Sequence, residues 1–136
     1  MNKQEIIRLP DREYFEFLTF QVFAMFIGEK TVRAKWKAIT LALFGFDVFK
    51  IARLSPDEIS KIQKNPKIIR NLKKLKATVR NAREFCQIME KFGSIFRYLQ
   101  SFPNHASRLA DLADRIHYIG KPSLKKFLAA IEIEEK

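Results

Sequence analysis

Between Glu13 and Gly28 the sequence reads EYFEFLTFQVFAMFIG, apolar on nearly every side of a helical projection. A helix of that kind cannot lie on a surface, because it needs other elements around it to complete a core. Pro10 and Asp11 ahead of it supply a helix start, and the stretch from Tyr14 to Ile27 is too short to span a bilayer. The chain around it holds four glycines and five prolines against thirteen phenylalanines. Punctuation is therefore sparse, and the other elements are expected to be helices with short connections. The expected fold is all-α: one compact helical domain over residues 1–136, in which 47% hydrophobic residues suffice for a real core.

The remaining elements follow from periodicity and caps. Gly28 permits a turn, after which TVRAKWKAITLALF carries Val32, Trp36, Ile39 and Leu43 at helical spacing until Gly45 closes it. Asp47 can cap a short helix through Arg53, and Ser55-Pro56-Asp57-Glu58 has the order of a capping box with a first-turn proline. Asn65-Pro66 repeats a start signal, and the pattern is helical from Lys67 to about Lys91, with a break near Asn71 and an end at Gly93. After a loop around Phe102-Pro103-Asn104, two shorter helices are expected at about Ser107 to Ile116 and Ser123 to Glu132. The tight segment from His117 to Pro122 joins them, giving a C-terminal helix-hairpin-helix motif over about 107–132.

The net charge is +11, from 26 Lys and Arg against 15 Asp and Glu, which attracts polyanions without naming one. A single cysteine, Cys86, excludes an internal disulfide and a cysteine-built metal cluster, and its place on an apolar helical arc reads as an inert thiol. Met1 to Arg8 lacks the apolar centre of a signal peptide. The expectation is a cytoplasmic monomer, nucleoid-associated when bound to DNA, with no membrane contact, no metal and no cofactor.

Two features place the charge. On a helix Lys73, Lys76, Arg80 and Arg83 share one arc beside an apolar arc of Leu72, Leu75, Val79, Ala82, Cys86 and Met89. Seven basic residues and no acidic one lie between Lys67 and Arg83, so the stripe suits an external anion, although a solvated face paired with carboxylates elsewhere in the fold also fits. In the hairpin, Gly120 is free to take a positive φ ahead of a helix start whose free N–H groups can hold a phosphate, with Lys121, Ser123, Lys125 and Lys126 beside them. A plain helix cap is the alternative there.

The run Ile68-Ile69-Arg70-Asn71, followed by Lys74, Ala77 and Asn81-Ala82-Arg83, resembles the central signature of the DNA-3-methyladenine glycosylase I family, which belongs to the helix-hairpin-helix superfamily. The likeness extends from about Tyr14 to Ile88, through Phe15-Glu16 and Leu43-Phe44-Gly45-Phe46-Asp47, and resumes at Tyr118-Ile119-Gly120. It implies double-stranded DNA as partner and a hydrolase that flips a damaged base out of the duplex and cuts its N-glycosidic bond. An alkylated adenine is already cationic and leaves readily, so such a site can act mainly by pocket shape. The chain departs from the family where the chemistry is expected. Gln21 stands at the family's pocket glutamate and Glu29 at its base-stacking tryptophan. The family's structural zinc lacks its cysteines here, and neither His105 nor His117 sits at a matching position, so no zinc is expected. Thirteen residues precede Tyr14, so the family's N-terminal aromatic wall is expected to be missing.

The candidate catalytic residues are accordingly Gln21, as a hydrogen-bonding partner of the base edge, and Glu29, as acid or base. Glu29 also reads as an ordinary exposed residue near a helix start. Trp36, Tyr14 and Tyr118 are candidates to stack on an extruded base or to wedge into its gap, with core packing the competing role for Trp36. The second functional class is a non-catalytic helix-hairpin-helix DNA-binding module. A helical RNA- or membrane-surface-binding protein is a third, needing only the charge.

Overall fold

A computed structural model describes residues 5–133, and helices dominate it. Helix α1 (Asp11–Ala24) buries Tyr14, Phe15, Leu18, Val22 and Phe23 against α2 (Glu29–Ala42), α5 (Leu72–Phe92) and α8 (Lys121–Ile131). It is central but not fully enclosed, since Phe17 on its outer side is 42% exposed. Beyond α2, a 3-10 turn at Phe44–Phe46 runs through three left-handed residues and drives Phe46 into the core.

Helix α3 (Val48–Ala52) is capped by Asp47, and α4 (Pro56–Gln63) carries the complete capping box of Ser55 and Glu58. The long helix α5 begins at Leu72, not at Lys67. The Asn65 side chain takes the Lys67 N–H at 2.9 Å and Asn71 takes the Lys74 N–H at 3.1 Å, so two asparagines hold the segment between them outside the helix. Helix α6 (Ile95–Gln100), capped by Ser94, has no counterpart in the sequence reading, because six residues are too few to show a period.

The last two helices each start earlier than expected. Asn104 caps α7 (His105–Arg115) by accepting the Ser107 N–H at 2.9 Å. Gly120 takes the capping position of α8, which places Ser123 inside the first turn. Gly120 is extended there, at φ −84°, without using the positive φ open to it, and the left-handed residue of the hairpin is Tyr118. A short antiparallel pair, β1 (Glu5–Ile6) and β2 (Glu132–Ile133), brings the two ends of the described chain together in the register Glu5 to Ile133. No described helix is long and apolar enough to cross a membrane.

Candidate functional site

Helix α1 ends on two backbone carbonyls that would lack partners without α5. Lys74, in the first turn of α5 and 1% exposed, sends its ammonium to Phe23 O at 2.6 Å and Met25 O at 2.5 Å. Burial lowers its pKa from the usual lysine value. Seven residues on, the buried Asn81 side chain grips the hairpin: its amide donates to His117 O at 3.1 Å and its oxygen accepts the His117 N–H at 2.7 Å. One face of α5 thus fixes both the end of α1 and the entry of the hairpin.

Between these two fixed points lies a cleft of about 430 Å³. Gln21, Ala24 and Met25 form one wall, Gly120, Pro122 and Ser123 the other, and Phe26, Gly28, Glu29 and Lys126 the rim. Of the helices after α1, α3 to α7 each have a side-chain cap, whereas α2 and α8 begin at glycines without one. Both uncapped starts border this cleft, and uncapped N–H groups carry the partial positive charge of a helix start.

The electrostatics of the cleft are set by a few groups. The Glu29 carboxylate accepts from Arg33 at 2.9 Å and lies 3.7 Å from the Lys126 ammonium of α8. The Arg33 hydrogen bond, with help from Lys126, lowers its pKa below the usual carboxylate value. Glu29 is therefore ionised near neutrality and is no general acid. Gln21 carries no charge, so with Lys74 beneath Met25 the surroundings of the cleft are cationic.

The structure gathers some expected residues here and places others elsewhere. Gln21, Glu29, Gly120, Ser123 and Lys126 line the cleft, and Lys121 and Lys125 are exposed on the same first turns of α8. Tyr14 does not: it is fully buried and its hydroxyl is spent on Ile7 O and the Leu9 N–H, which corrects its assignment as a base-stacking group. Trp36 lines a different groove with Glu16, Phe17, Phe20 and Arg33, where it packs between Phe20 and Phe46 and donates to Glu16 at 3.3 Å. Tyr118 is 40% exposed on the hairpin but is not among the residues lining the cleft.

In the stripe, Lys73, Lys76 and Arg80 are exposed, and none of the described ion pairs involves them. Arg83 differs, because it donates to Ala52 O at 2.9 Å and Leu54 O at 3.4 Å and so ties the end of α3 to α5. Burial pushes the Cys86 thiol up, consistent with an inert group. Phe26 escaped the sequence reading because it sits in an apolar run that looked wholly buried, yet it is 96% exposed at the rim.

Residues 6–123 match the family model described as methyladenine glycosylase. The chain belongs to this family. A curated relative, the DNA-3-methyladenine glycosylase of Haemophilus influenzae, is 33% identical over 100 residues, covering 73% of this chain and 54% of its own. The chain thus spans about half the length of that relative. Among solved structures, a tyrosine variant of 3-methyladenine DNA glycosylase I in complex with 3-methyladenine superposes with a TM-score of 0.77 at 21% identity, over 90% of this chain and 79% of that one. The enzyme of that name from Staphylococcus aureus gives 0.76 at 21% identity, over 93% and 79%. These likenesses agree with the all-α fold.

The zinc that the resemblance implies does not fit the residues present. Among the described residues no three His, Cys, Asp or Glu side chains converge as a metal site. His105 instead contacts the Glu132 carboxylate at 2.7 Å, and Glu132 also accepts from the Arg108 guanidinium at 2.7 Å, whose charge would repel a metal cation.

Proposed function

We propose that the protein is a DNA glycosylase that turns an alkylated base such as 3-methyladenine out of duplex DNA into the cleft at Gln21 and hydrolyses its N-glycosidic bond. The observation that carries this reading is the meeting of Gln21 with two uncapped helix starts around a single cleft of about 430 Å³. A flipped base must come out of the stack into a concave, mostly apolar site, while its flanking phosphates need donors close by. The start of α8, with Gly120, Lys121 and Ser123, supplies such donors, and Lys125 and Lys126 add charge. The stripe of Lys73, Lys76 and Arg80 supplies further affinity without reading sequence.

In this chemistry the C1′–N bond breaks with its electron pair going to the base, which is cationic when alkylated and so departs neutral. Water bonds to C1′ and releases a proton. No protonated acid is required at the leaving base, which suits a cleft whose one carboxylate is held ionised. Gln21 orients the base through its amide, and Glu29 tethers the start of α2 to α8 through Lys126.

The test is release of free base from methylated duplex DNA. The wild type releases base, Gln21→Ala loses about tenfold or more, as for one lost buried hydrogen bond, and Glu29→Ala changes the rate little. No release from any alkylated duplex overturns the enzyme reading. A non-catalytic DNA-binding module is then left, favoured by Gln21 and Glu29 standing where the resemblance implies a glutamate and a tryptophan. Replacing Gly120 and Lys121 together weakens duplex binding strongly if the hairpin anchors phosphate, and hardly at all if charge alone does so.

A further inference from the structure

A sugar that has lost its base opens to an aldehyde at C1′, and an aldehyde held beside a lysine condenses with its amine. Among the described residues lining the cleft, Lys126 carries the one amine. Lys121 and Lys125 do not line it, and the Lys74 ammonium is spent on Phe23 O and Met25 O. Lys126 lies one turn after Ser123 on the face of α8 that Pro122 and Ser123 present to the cleft. The helix beneath it is fixed by the buried Leu124, Phe127 and Leu128, so only its side chain is free to swing.

Across the mouth of the cleft stands Glu29. Its carboxylate is 3.7 Å from the Lys126 ammonium, while Arg33 donates to it at 2.9 Å and keeps it ionised. The side chains of Lys126 and Glu29 are 62% and 41% exposed, so their pairing contributes little to stability. Attraction of phosphate does not account for the pair either, because the carboxylate takes back part of the lysine's charge. The family resemblance implies a tryptophan where Glu29 stands, so an acid facing Lys126 is this chain's own feature.

A nucleophile and a base facing each other at the mouth, where the sugar of a base seated against Gln21 must lie, are the two groups that strand cleavage at an abasic site needs. We infer that the protein also acts on abasic DNA, Lys126 forming a Schiff base with C1′ of the opened sugar and Glu29 removing the C2′ proton. The Glu29 carboxylate accepts a proton from the ammonium and passes it to the aldehyde oxygen. The amine lone pair bonds to C1′, and the oxygen leaves as water with a second proton from the nitrogen. The resulting iminium draws electrons, so the C2′ proton passes to the carboxylate and its bonding pair enters the sugar as an enamine. That pair then forms a C2′=C3′ double bond while the C3′–O bond breaks, its electrons going to the 3′ phosphate. Water hydrolyses the conjugated iminium, returning the amine and leaving an unsaturated aldehyde on the cut strand; no oxidant or reductant takes part. The inference rests on the reading that DNA occupies this cleft, but it does not require the protein itself to have removed the base.

The test uses a duplex whose single abasic site is prepared beforehand by removing a uracil with a separate enzyme, so base release by this protein is not needed. The full chain, as wild type, Lys126→Arg and Glu29→Gln, is present at saturating concentration, so that a change in affinity does not imitate a change in chemistry. Borohydride reduces the iminium to a stable amine, the adduct is counted on a denaturing gel, and peptide mass mapping locates it. The wild type is expected to give an adduct on Lys126 and, without borohydride, a strand ending in an unsaturated aldehyde. Lys126→Arg keeps the charge but cannot form the imine, so its adduct falls by about tenfold or more. Glu29→Gln cuts the strand on the order of a hundredfold more slowly, as for a lost general base. Melting temperatures equal to that of the wild type show that both variants are folded. The inference is overturned if the wild type gives no adduct, if the adduct maps to another amine, or if Lys126→Arg is trapped as readily; cutting by Glu29→Gln at the wild-type rate removes the carboxylate from the reaction. Base release from methylated duplex is scored apart: an adduct on Lys126 without base release leaves the strand cleavage and removes the glycosylase, and base release without an adduct does the opposite.

Discussion

At the residue scale, several basic side chains that look alike in sequence turn out to do different work. Lys74 lies between Lys73 and Lys76 in a run that reads as surface, yet its ammonium closes the end of α1 through two backbone carbonyls. Lys74→Met keeps the stem and removes the donor, leaving those carbonyls unpaired, and is expected to cost about 1–3 kcal/mol in a urea unfolding experiment. Lys73→Met should leave stability within about 0.5 kcal/mol. The same ammonium beneath the cleft makes a second prediction. With Gln21 neutral, Lys74, Arg33 and Lys126 outnumber Glu29, so Gln21→Glu should tighten binding of a cationic alkylated base relative to a neutral analogue. Titration of the wild type and the variant with the two bases checks this, and an unchanged ratio contradicts it. The positions of Gln21 and Glu29 near one another were legible in the sequence because a likeness carried their register. The burial of Tyr14 was not, since on an all-round apolar helix nothing in the period tells an inward tyrosine from one facing a ligand.

At the element scale, α7 is held to its neighbours by polar clusters that composition does not show. Arg108 is fully buried, donating to Leu99 O at 2.8 Å and to Glu132 at 2.7 Å just past the end of α8. Removing one partner of such a pair strands the other, so Glu132→Leu is expected to destabilise by about 3 kcal/mol, and the double change Arg108→Met with Glu132→Leu by much less than the sum of its singles. Chemical denaturation of the four proteins measures the coupling. On the other face, Asp111 accepts from the Tyr98 hydroxyl at 2.5 Å and from Arg115 at 2.7 Å. Burial alone would raise its pKa, but these two donors outweigh it and the carboxyl sits below its ordinary 3.8. Because the folded value is the lower one, the stabilisation is complete above 3.8 and is lost as pH falls through the folded value. Asp111→Asn should therefore flatten the acid limb of stability against pH below 3.8. Helix starts marked by Asp47 and Ser55 were readable to the residue, because a cap is a local bond with a local signature, whereas the start of α5 was read at Lys67 and only a break at Asn71. The starts of α7 and α8 were misplaced by two residues, since in each case a serine inside the first turn imitated a cap.

At the scale of the whole molecule, a net charge of +11 announced a polyanionic partner, but the sum does not distinguish charge that docks from charge that braces. Arg83 and Arg108 brace, while Lys73, Lys76 and Arg80 remain free of the described ion pairs. If the stripe contacts phosphates, replacing these three by alanine reduces the salt dependence of duplex binding, the slope of log K against log salt falling by about 0.9 for each contact removed. Arg83→Ala instead lowers the melting temperature. A slope that the triple replacement leaves unchanged would mean that the stripe faces water only.

The pairing of β1 with β2 bears on this scale too. In the register Glu5 to Ile133, reinforced by Ile7 N–H to Ile131 O at 2.8 Å, the outer residues of the two strands lie side by side, so the chain enters and leaves the described fold at one point. Tension applied across that point loads the strand bonds one after another, as in unzipping, and not all together as in shear. The helices behind would then carry no load until the strands had opened, and the closed state of the pair would serve as a mechanical fuse for the core.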